Sequence, residues 1–391
     1  MSGLPPLTPR YNIDARQQAV RDEVHAFCAK ENIVELGREL DRKPEPRTFP
    51  RDLYVKLCSA GFVAYPFGRE YGGSGKSSIE YATLIEELCY IDAPICLLAA
   101  VGVLATEPIY HYGNEEQKKK YLPGCFSGRI VPAFVLTEPE AGSDAANQKT
   151  EFRVDGNDFV VNGEKIFIMH GDAADLFVLF GKIYEDGVRD KVSTILLETS
   201  HPGITRRPLE YKMGMRAATT GYIKLNDVRV PQSALLGERN KGFRYAMTTL
   251  DSARIGVAAQ GVGIAQRALD EAIERAKIRQ AFGAPIAKLQ AIQWMIADMA
   301  TRVEAARLLT YKAAILQDNG ERFGLAASQA KLYATEIANF CVDRAMQIFS
   351  GYGFIGEFSP IEKLYRDQRV MEIYEGTSEV QRLVIANNLL R

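Results

Sequence analysis

The chain has little of the chemistry from which metal sites and disulfide frames are made. Its four histidines, His25, His111, His170 and His201, do not read as a ligand set. No metal is expected, and neither is a di-iron bundle, which repeats Glu-x-x-His on its helices. The six cysteines form no CxxC pair and fall mostly inside apolar helical patterns, where a free thiol behaves as a small hydrophobe. A disulfide frame is excluded, and the usage is that of a reducing compartment. A basic excess is missing too: Lys plus Arg is 48 and Asp plus Glu 49, a formal net charge of −1. That argues against a nucleic-acid partner, which leaves a basic stripe. The densest basic run, 118–120, follows Glu115 and Glu116 and reads as a solvated helix end. No run reaches the roughly eighteen apolar residues of a membrane span. Residues 1–13 carry prolines but no apolar leader core. The expectation is a cytoplasmic protein with no membrane span.

What is present is a chain of 391 residues whose hydrophobic period changes twice. From about 15 to 122 apolar residues recur at three and four, as in amphipathic helices; 17–31, 49–59 and 78–100 are such stretches. From about 129 to 236 the pattern alternates and is β-branched. Strands are expected at 152–154, 159–161, 166–168, 176–180, 193–198 and 222–230, with turns at Gly156-Asn157 and Asn162-Gly163. No helices intervene, so an antiparallel sheet is expected. From about 242 the helical period returns, with long helices at 251–280, 289–317 and 323–350 and a last one starting near Ser378. The fold expected is α+β: an N-terminal helical domain (1–129), a middle antiparallel β-domain (130–239) and a C-terminal four-helix bundle (240–391).

Five segments carry candidate chemistry. Thr-Glu-Pro-Glu-Ala-Gly-Ser-Asp at 137–144 follows a strand-like run, and small residues with hydroxyls there let backbone N–H groups approach a phosphate. Residues 165–171 form an apolar strand ending in a polar turn. At 279–283, Arg-Gln-Ala-Phe-Gly closes a long helix, where Arg279 either pairs with a phosphate or complements the helix dipole. Gly351, Gly353 and Gly356 match GxGxxG, with Glu375 about twenty residues later. That fingerprint needs a preceding strand, and a helical pattern stands there instead, so the dinucleotide reading fails. At 373–382, Glu375 precedes Gly376 and then Thr377 and Ser378, which suit a helix N-cap.

Taken together, these segments resemble the acyl-CoA dehydrogenase family over nearly the whole chain. Thr-Glu-Pro-Glu-Ala-Gly-Ser-Asp, Arg-Gln-Ala-Phe-Gly and Ile-Tyr-Glu-Gly-Thr-Ser-Glu-Val-Gln-Arg occur in the family's order and spacing. The resemblance implies the same α-β-α fold, FAD, an acyl-CoA substrate, electron-transfer flavoprotein as acceptor and a homotetramer. It implies α,β-desaturation, with Glu375 removing the Cα proton and hydride passing from Cβ to flavin N5. The thioester carbonyl is polarised in the family by the backbone N–H of the base and a ribityl hydroxyl, an oxyanion-type arrangement. Arg254 matches the family's arginine beside the base. Ser143, Asp251, Arg254, Glu375 and Gly376 match substrate-binding positions. Phe134, Leu136, Thr137, Gly142 and Ser143 match the first flavin segment, and Phe167, Ile168 and Met169 the second. Arg279, Phe282, Gln290, Gln347 and Gly351 are implied to reach FAD from a neighbouring subunit, and Thr377 and Glu379 to close the site.

The second flavin segment departs from the family's Lys-x-Trp-Ile-Thr-Asn: Phe167, Met169 and His170 replace Trp, Thr and Asn. The Thr commonly donates to flavin N5, and a thioether cannot donate, so altered flavin chemistry is expected. Asp92, after Glu86 and Glu87, reads either as a capping acid or as a second acid in the acyl pocket, since some relatives handling cyclic thioesters use an acid from this region. The alternatives to a dehydrogenase are an oxidase or enoyl-CoA reductase on the same scaffold, or a non-catalytic acyl-CoA or flavin-binding partner. The acyl group, short, branched or cyclic, is not legible.

Overall fold

A computed structural model describes residues 10–390; the first part of the proline-bearing start lies outside the described residues. Six helices come first: α1 (Ala15–Lys30), α2 (Ile33–Arg42), α3 (Arg51–Ser59), α4 (Ser78–Ile91), α5 (Ala93–Tyr112) and α6 (Glu115–Ser127). Their starts are written in side chains. Asp14 accepts from Arg16 N at 2.8 Å, and capping boxes open α4 (Ser77 with Glu80) and α6 (Asn114 with Gln117). The expected single helix over 78–100 is two helices. Asp92 breaks it, caps α5 by accepting from Ile95 N at 3.2 Å, and is followed by Pro94 in the first turn. By length and composition α5 could cross a membrane, contrary to the sequence expectation. It is instead a mostly buried core helix, packed on α4, α6 and α7 (Gly242–Ile278).

The middle region holds β1 (Pro132–Val135), β2 (Glu151–Asp155), β3 (Asp158–Met169), β4 (Leu176–Glu185), β5 (Val188–Glu198), β6 (Ile204–Pro208) and β7 (Thr220–Pro231). The sheet is mixed rather than antiparallel. β1 and β2 lie in turn along one edge of β4, both parallel to it, and β5 pairs antiparallel with the other edge. β4 is buried along 176–181, as a strand covered on both faces must be, and this central place is what accepts parallel neighbours. Asp155 pairs with Asp158 across the expected turn. Asn162 and Gly163 make no turn: the register shifts there within the continuous strand β3, which pairs with β7.

The C-terminal region contains α7, a short hairpin of β8 (Gln280–Ala281) and β9 (Ala284–Pro285), then α8 (Gln290–Asp318), α9 (Gly324–Phe349), α10 (Gly351–Phe354), α11 (Ile361–Gln368) and α12 (Ser378–Leu389). α9 packs against α7, α8 and α12, which makes the expected bundle. α7 is held between α9 and α4 by close backbone approach. A Cβ on Gly261 would stand 2.7 Å from Ala334 O, and one on Gly263 2.3 Å from Glu86 O. A buried ionic knot joins the two helical regions. Glu86 meets Arg307 Nε at 3.2 Å and the Tyr311 hydroxyl at 2.9 Å; Glu87 meets Arg21 at 2.7 Å and His25 at 2.6 Å.

Candidate active site

The loop between α11 and α12 carries the central carboxylate. Glu375 sits at φ 52° and Gly376 at φ 91°, two consecutive left-handed residues. That conformation costs a non-glycine residue of order 1 kcal/mol or more and persists only where its surroundings enforce it. Three contacts do so. Lys331 Nζ on α9 donates to Gly376 O at 2.7 Å, and Gln381 Nε2 on α12 donates to the same oxygen at 2.8 Å. Thr377 caps α12 by accepting from Val380 N at 3.3 Å. Gly376 has no room for a side chain, since a Cβ would lie 2.6 Å from Gln381 Nε2.

Among the described residues Glu375 Oε2 is buried and has no hydrogen-bond partner. Burial pushes the carboxyl up, Lys331 and Arg254 pull it back, and it stands at about 7. A buried carboxylate poised near neutrality, with an oxygen not committed to a hydrogen bond, is what a general base needs. Arg254, on α7, is buried and ion-paired with Asp251 one turn earlier, and its Nε has no partner among the described residues. Tyr374 hydrogen-bonds Gln260 of α7, which ties the loop to that helix.

A second acid shares this region and escaped the sequence reading. Glu107 on α5 is bonded to Ser252 of α7, whose hydroxyl in turn accepts from Gln317 Nε2 at 2.8 Å. Burial raises its carboxyl, the Ser252 bond lowers it, Glu375 raises it further, and it reaches about 8. The signal was present: one acid inside the apolar run that ends in Pro108 and Ile109.

The two flavin-type segments are joined to each other. Ile166 N donates to Thr137 O at 3.1 Å. The buried Lys165 ammonium holds Leu136 O at 2.8 Å, Glu138 at 3.0 Å and Gln148 at 3.1 Å. A register shift between Lys165 and Ile168 then turns Phe167 outward at φ 59°, leaving it 65% exposed. Gly142 has open space where a Cβ would be, and Ser143 beside it is exposed. Phe134 packs on Phe180 with ring centroids 4.8 Å apart. Met169, at the end of β3, and Tyr374 both pack against the helical core.

Some sequence candidates are placed elsewhere. Ile168 and Leu136 are buried, with their side chains in the core. Asp92 is a capping acid at the start of α5. Its carboxylate caps α5 and meets Lys363 Nζ at 2.9 Å, Lys363 lies on a cleft of about 1070 Å³ between α2, α7 and α11, and fifteen residues of α5, on the order of 22 Å, separate Asp92 from Glu107. His170 takes no outward role. It is buried, rests on Phe49 and Tyr54, and burial pulls it down to about 4, so it is neutral. Arg279, Phe282, Gln290, Gln347 and Gly351 are exposed on the α7–α8 and α9–α10 junctions; Phe282 is 95% exposed. Glu379 is exposed on the first turn of α12. Glu198 and His201 do stand in Glu-x-x-His spacing, which the sequence reading overlooked, but Glu198 ends strand β5, His201 lies in the turn after it, and Glu198 is bonded to Tyr121 at 3.0 Å and Lys120 at 2.8 Å.

Sequence and structural comparison give the family. Three family descriptions match in order: "Acyl-CoA dehydrogenase, N-terminal domain" over residues 14–129, the middle domain over 133–228 and the C-terminal domain over 240–390. The chain belongs to the acyl-CoA dehydrogenase family. It is 38% identical over 382 residues to the short-chain-specific acyl-CoA dehydrogenase of Clostridium acetobutylicum, covering 97% of this chain and 100% of that one. It is 43% identical over 365 residues to the 3-(aryl)acrylate reductase of Clostridium sporogenes (93% and 96% covered). With the caffeyl-CoA reductase–Etf complex subunit CarC of Acetobacterium woodii it shares 41% over 377 residues (96% and 98%). The butyryl-CoA dehydrogenase of Megasphaera elsdenii superposes with a TM-score of 0.90 at 37% identity, over 98% of this chain and 100% of that one. A glutaryl-CoA dehydrogenase of Mycobacterium smegmatis in complex with FADH2 superposes at 0.88 and 27% identity, over 96% and 95%.

The enzyme is thus an oxidoreductase of this family, and its cofactor is FAD. The residues present suit that group: an outward-facing aromatic at Phe167, the hydroxyls of Thr137 and Ser143, open backbone at Gly142 and an unpartnered buried carboxylate at Glu375.

Proposed function

We propose that this chain interconverts an acyl-CoA thioester and its α,β-unsaturated counterpart, with Glu375 exchanging the proton at Cα. The observation that carries the reading is the Glu375 carboxylate, whose buried Oε2 has no hydrogen-bond partner among the described residues, on a strained loop beside Arg254 and Lys331. Glu375 accepts the Cα proton, and low polarity around it keeps the proton affinity of its carboxylate high enough for transfer near neutral pH. Arg254 and Lys331 keep a fraction of it ionised. FAD, when bound, supplies the two-electron acceptor. Asp251, paired with Arg254, and the exposed Ser143 are proposed to hold the thioester arm.

Desaturation is the direction favoured by relatives named dehydrogenases, while those named reductases support the reverse direction through the same residues. Electron-transfer flavoprotein is proposed as the redox partner, supported by the CarC–Etf relative. A homotetramer is proposed as well. The exposed apolar side chains Ile278, Phe282, Leu289 and Trp294 follow one another along the end of α7, the hairpin and the start of α8, and an apolar strip of this kind marks an interface. The experiment is an anaerobic titration of the purified flavoprotein with a panel of saturated CoA thioesters, and of the reduced protein with their enoyl counterparts. Bleaching of the flavin by at least one saturated thioester supports desaturation. Reoxidation by enoyl thioesters alone makes it a reductase, and no response to either panel removes the proposal.

A further inference from the structure

In the proposed function Lys331 enters only as a charge, yet its placement is unusual. It lies on α9 and is fully buried among Ala327, Ala330 and Ala334. An ammonium has three hydrogens to donate, and burying one without acceptors is costly. One is engaged by Gly376 O at 2.7 Å, the carbonyl of the residue after Glu375. Gln381 Nε2 reaches the same oxygen from α12 at 2.8 Å. Two donors from two helices therefore grip one carbonyl, directly after two left-handed residues. The Glu375 carboxylate, with Oε2 unpartnered among the described residues, belongs to the same buried space.

We propose that Lys331 is a positioning residue for Glu375: its ammonium braces the Glu375–Gly376 turn through the Gly376 carbonyl and supplies the buried positive charge against which Glu375 ionises. The inference rests on Glu375 being the proton acceptor. The other groups facing this pair come from every neighbouring element. Arg254 of α7 adds positive charge to both; Glu372 before the loop and Glu379 of α12 act on Lys331; Tyr81 of α4 and Glu107 of α5 face Glu375. Arg254 alone is committed to Asp251, so Lys331 is the cation attached to the loop itself. A core alanine's role at this position would be pure packing, and the two roles separate by titration.

The test uses the FAD-loaded enzyme and the variants Lys331→Met, Lys331→Gln and Lys331→Arg, with a thioester that bleaches the unmodified protein. Removing an opposite charge next to a carboxylate moves its titration by about one to three pH units. The acid limb of kcat is expected to move up by at least about one unit in Lys331→Met and Lys331→Gln, and to return most of the way in Lys331→Arg. The infrared band of the protonated Glu375 carboxyl, assigned by its loss in Glu375→Gln, is expected to persist to correspondingly higher pH without any turnover. Lys331→Gln keeps a donor for the Gly376 carbonyl and decides the matter if Lys331→Met does not fold. An unmoved limb and an unmoved infrared titration in Lys331→Gln, with flavin bound, overturn the inference. Turnover retained in Glu375→Gln would instead overturn the reading of Glu375 itself.

Discussion

The thioether of Met169 accepts a hydrogen bond from the Thr220 hydroxyl, Sδ to Oγ1 3.1 Å. The same hydroxyl oxygen accepts from the half-buried Lys212 ammonium at 3.2 Å. The end of β3 therefore offers the flavin segment a sulfur that is already an acceptor and cannot donate. Met169→Thr returns the hydroxyl donor that the family pattern carries here. A donor to the oxidised ring favours the oxidised over the reduced cofactor. A net hydrogen bond of about 0.5–1.5 kcal/mol corresponds to a two-electron potential lower by about 10–30 mV. Spectroelectrochemical titration of both proteins checks this, and an unchanged potential would show that residue 169 does not touch the flavin electronically.

The titration of Glu375 fixes the shape of the pH profile. Its folded value, about 7, lies above the usual 4.5, so the basic form grows as pH rises through that value. Turnover limited by proton abstraction is expected to rise about tenfold per unit well below it and to level off above it. Glu375→Gln is expected to lose about 10²- to 10⁴-fold in kcat while the flavin spectrum stays. A flat profile between pH 6 and 8 would mean that another group, or another step, limits the reaction.

Glu107 ionises after Glu375, at about 8, because burial raises its carboxyl and the negative charge on Glu375 adds to that. A second, shallower inflection is expected on the alkaline side of the wild-type profile and is expected to vanish in Glu107→Gln. The acid limb near 7 stays in that variant, since Glu107 is neutral there. Were Glu107→Gln to displace the acid limb instead, the order of ionisation would be the reverse.

The chain displays its fold more openly than its site. The apolar run over 176–180 marks the central strand, but a pattern of side chains cannot say whether a neighbour runs parallel, and that is decided by which edges β1 and β2 reach. β6 was missed because Arg206 and Arg207 interrupt a short edge strand that is nowhere fully buried. Helix α5 fused with α4 in the reading because both are apolar around their circumference, and only Asp92, a cap disguised as a helix acid, separates them. In the site, Glu375 was legible because it precedes a glycine and a cap. Lys331 was not, although it lies four residues from Ala327 on a buried helical stripe, where a lysine is out of place unless something holds it.

Asp92 gives a prediction of a different kind. Its carboxylate caps α5 and pairs with Lys363, which also meets Asp367 at 2.8 Å. Asp92→Asn keeps an acceptor for the cap but removes the charge, so Lys363 retains only Asp367. The expected result is a lower urea midpoint with kcat and its pH profile unchanged. Asp92→Ala loses the cap too, at about 1 kcal/mol more. A large fall in kcat in Asp92→Asn, with the fold intact, would restore the acid to the acyl pocket.

The ionic knot around Glu86 sets the acid limit of the fold. Burial alone would raise this carboxyl, but Arg21 and Arg307 overcome it and hold it at about 2, against 4.5 when unfolded. Because the folded value is depressed, the unfolded chain binds the proton first. The stabilisation is complete above about 4.5 and is lost as pH falls from there toward 2. Glu86→Gln leaves Arg307 and Arg21 buried with one carboxylate fewer, and breaking a buried pair in this way costs about 3–5 kcal/mol. The variant is expected to have a lower urea midpoint at pH 7 and a shallower loss of stability between pH 4.5 and 2, because the group that titrated there is gone. Equal midpoints at pH 7 would mean that Arg21 and Arg307 are satisfied by Glu87, Glu304 and Tyr311 without it, and that the knot joins the two helical regions through packing rather than charge.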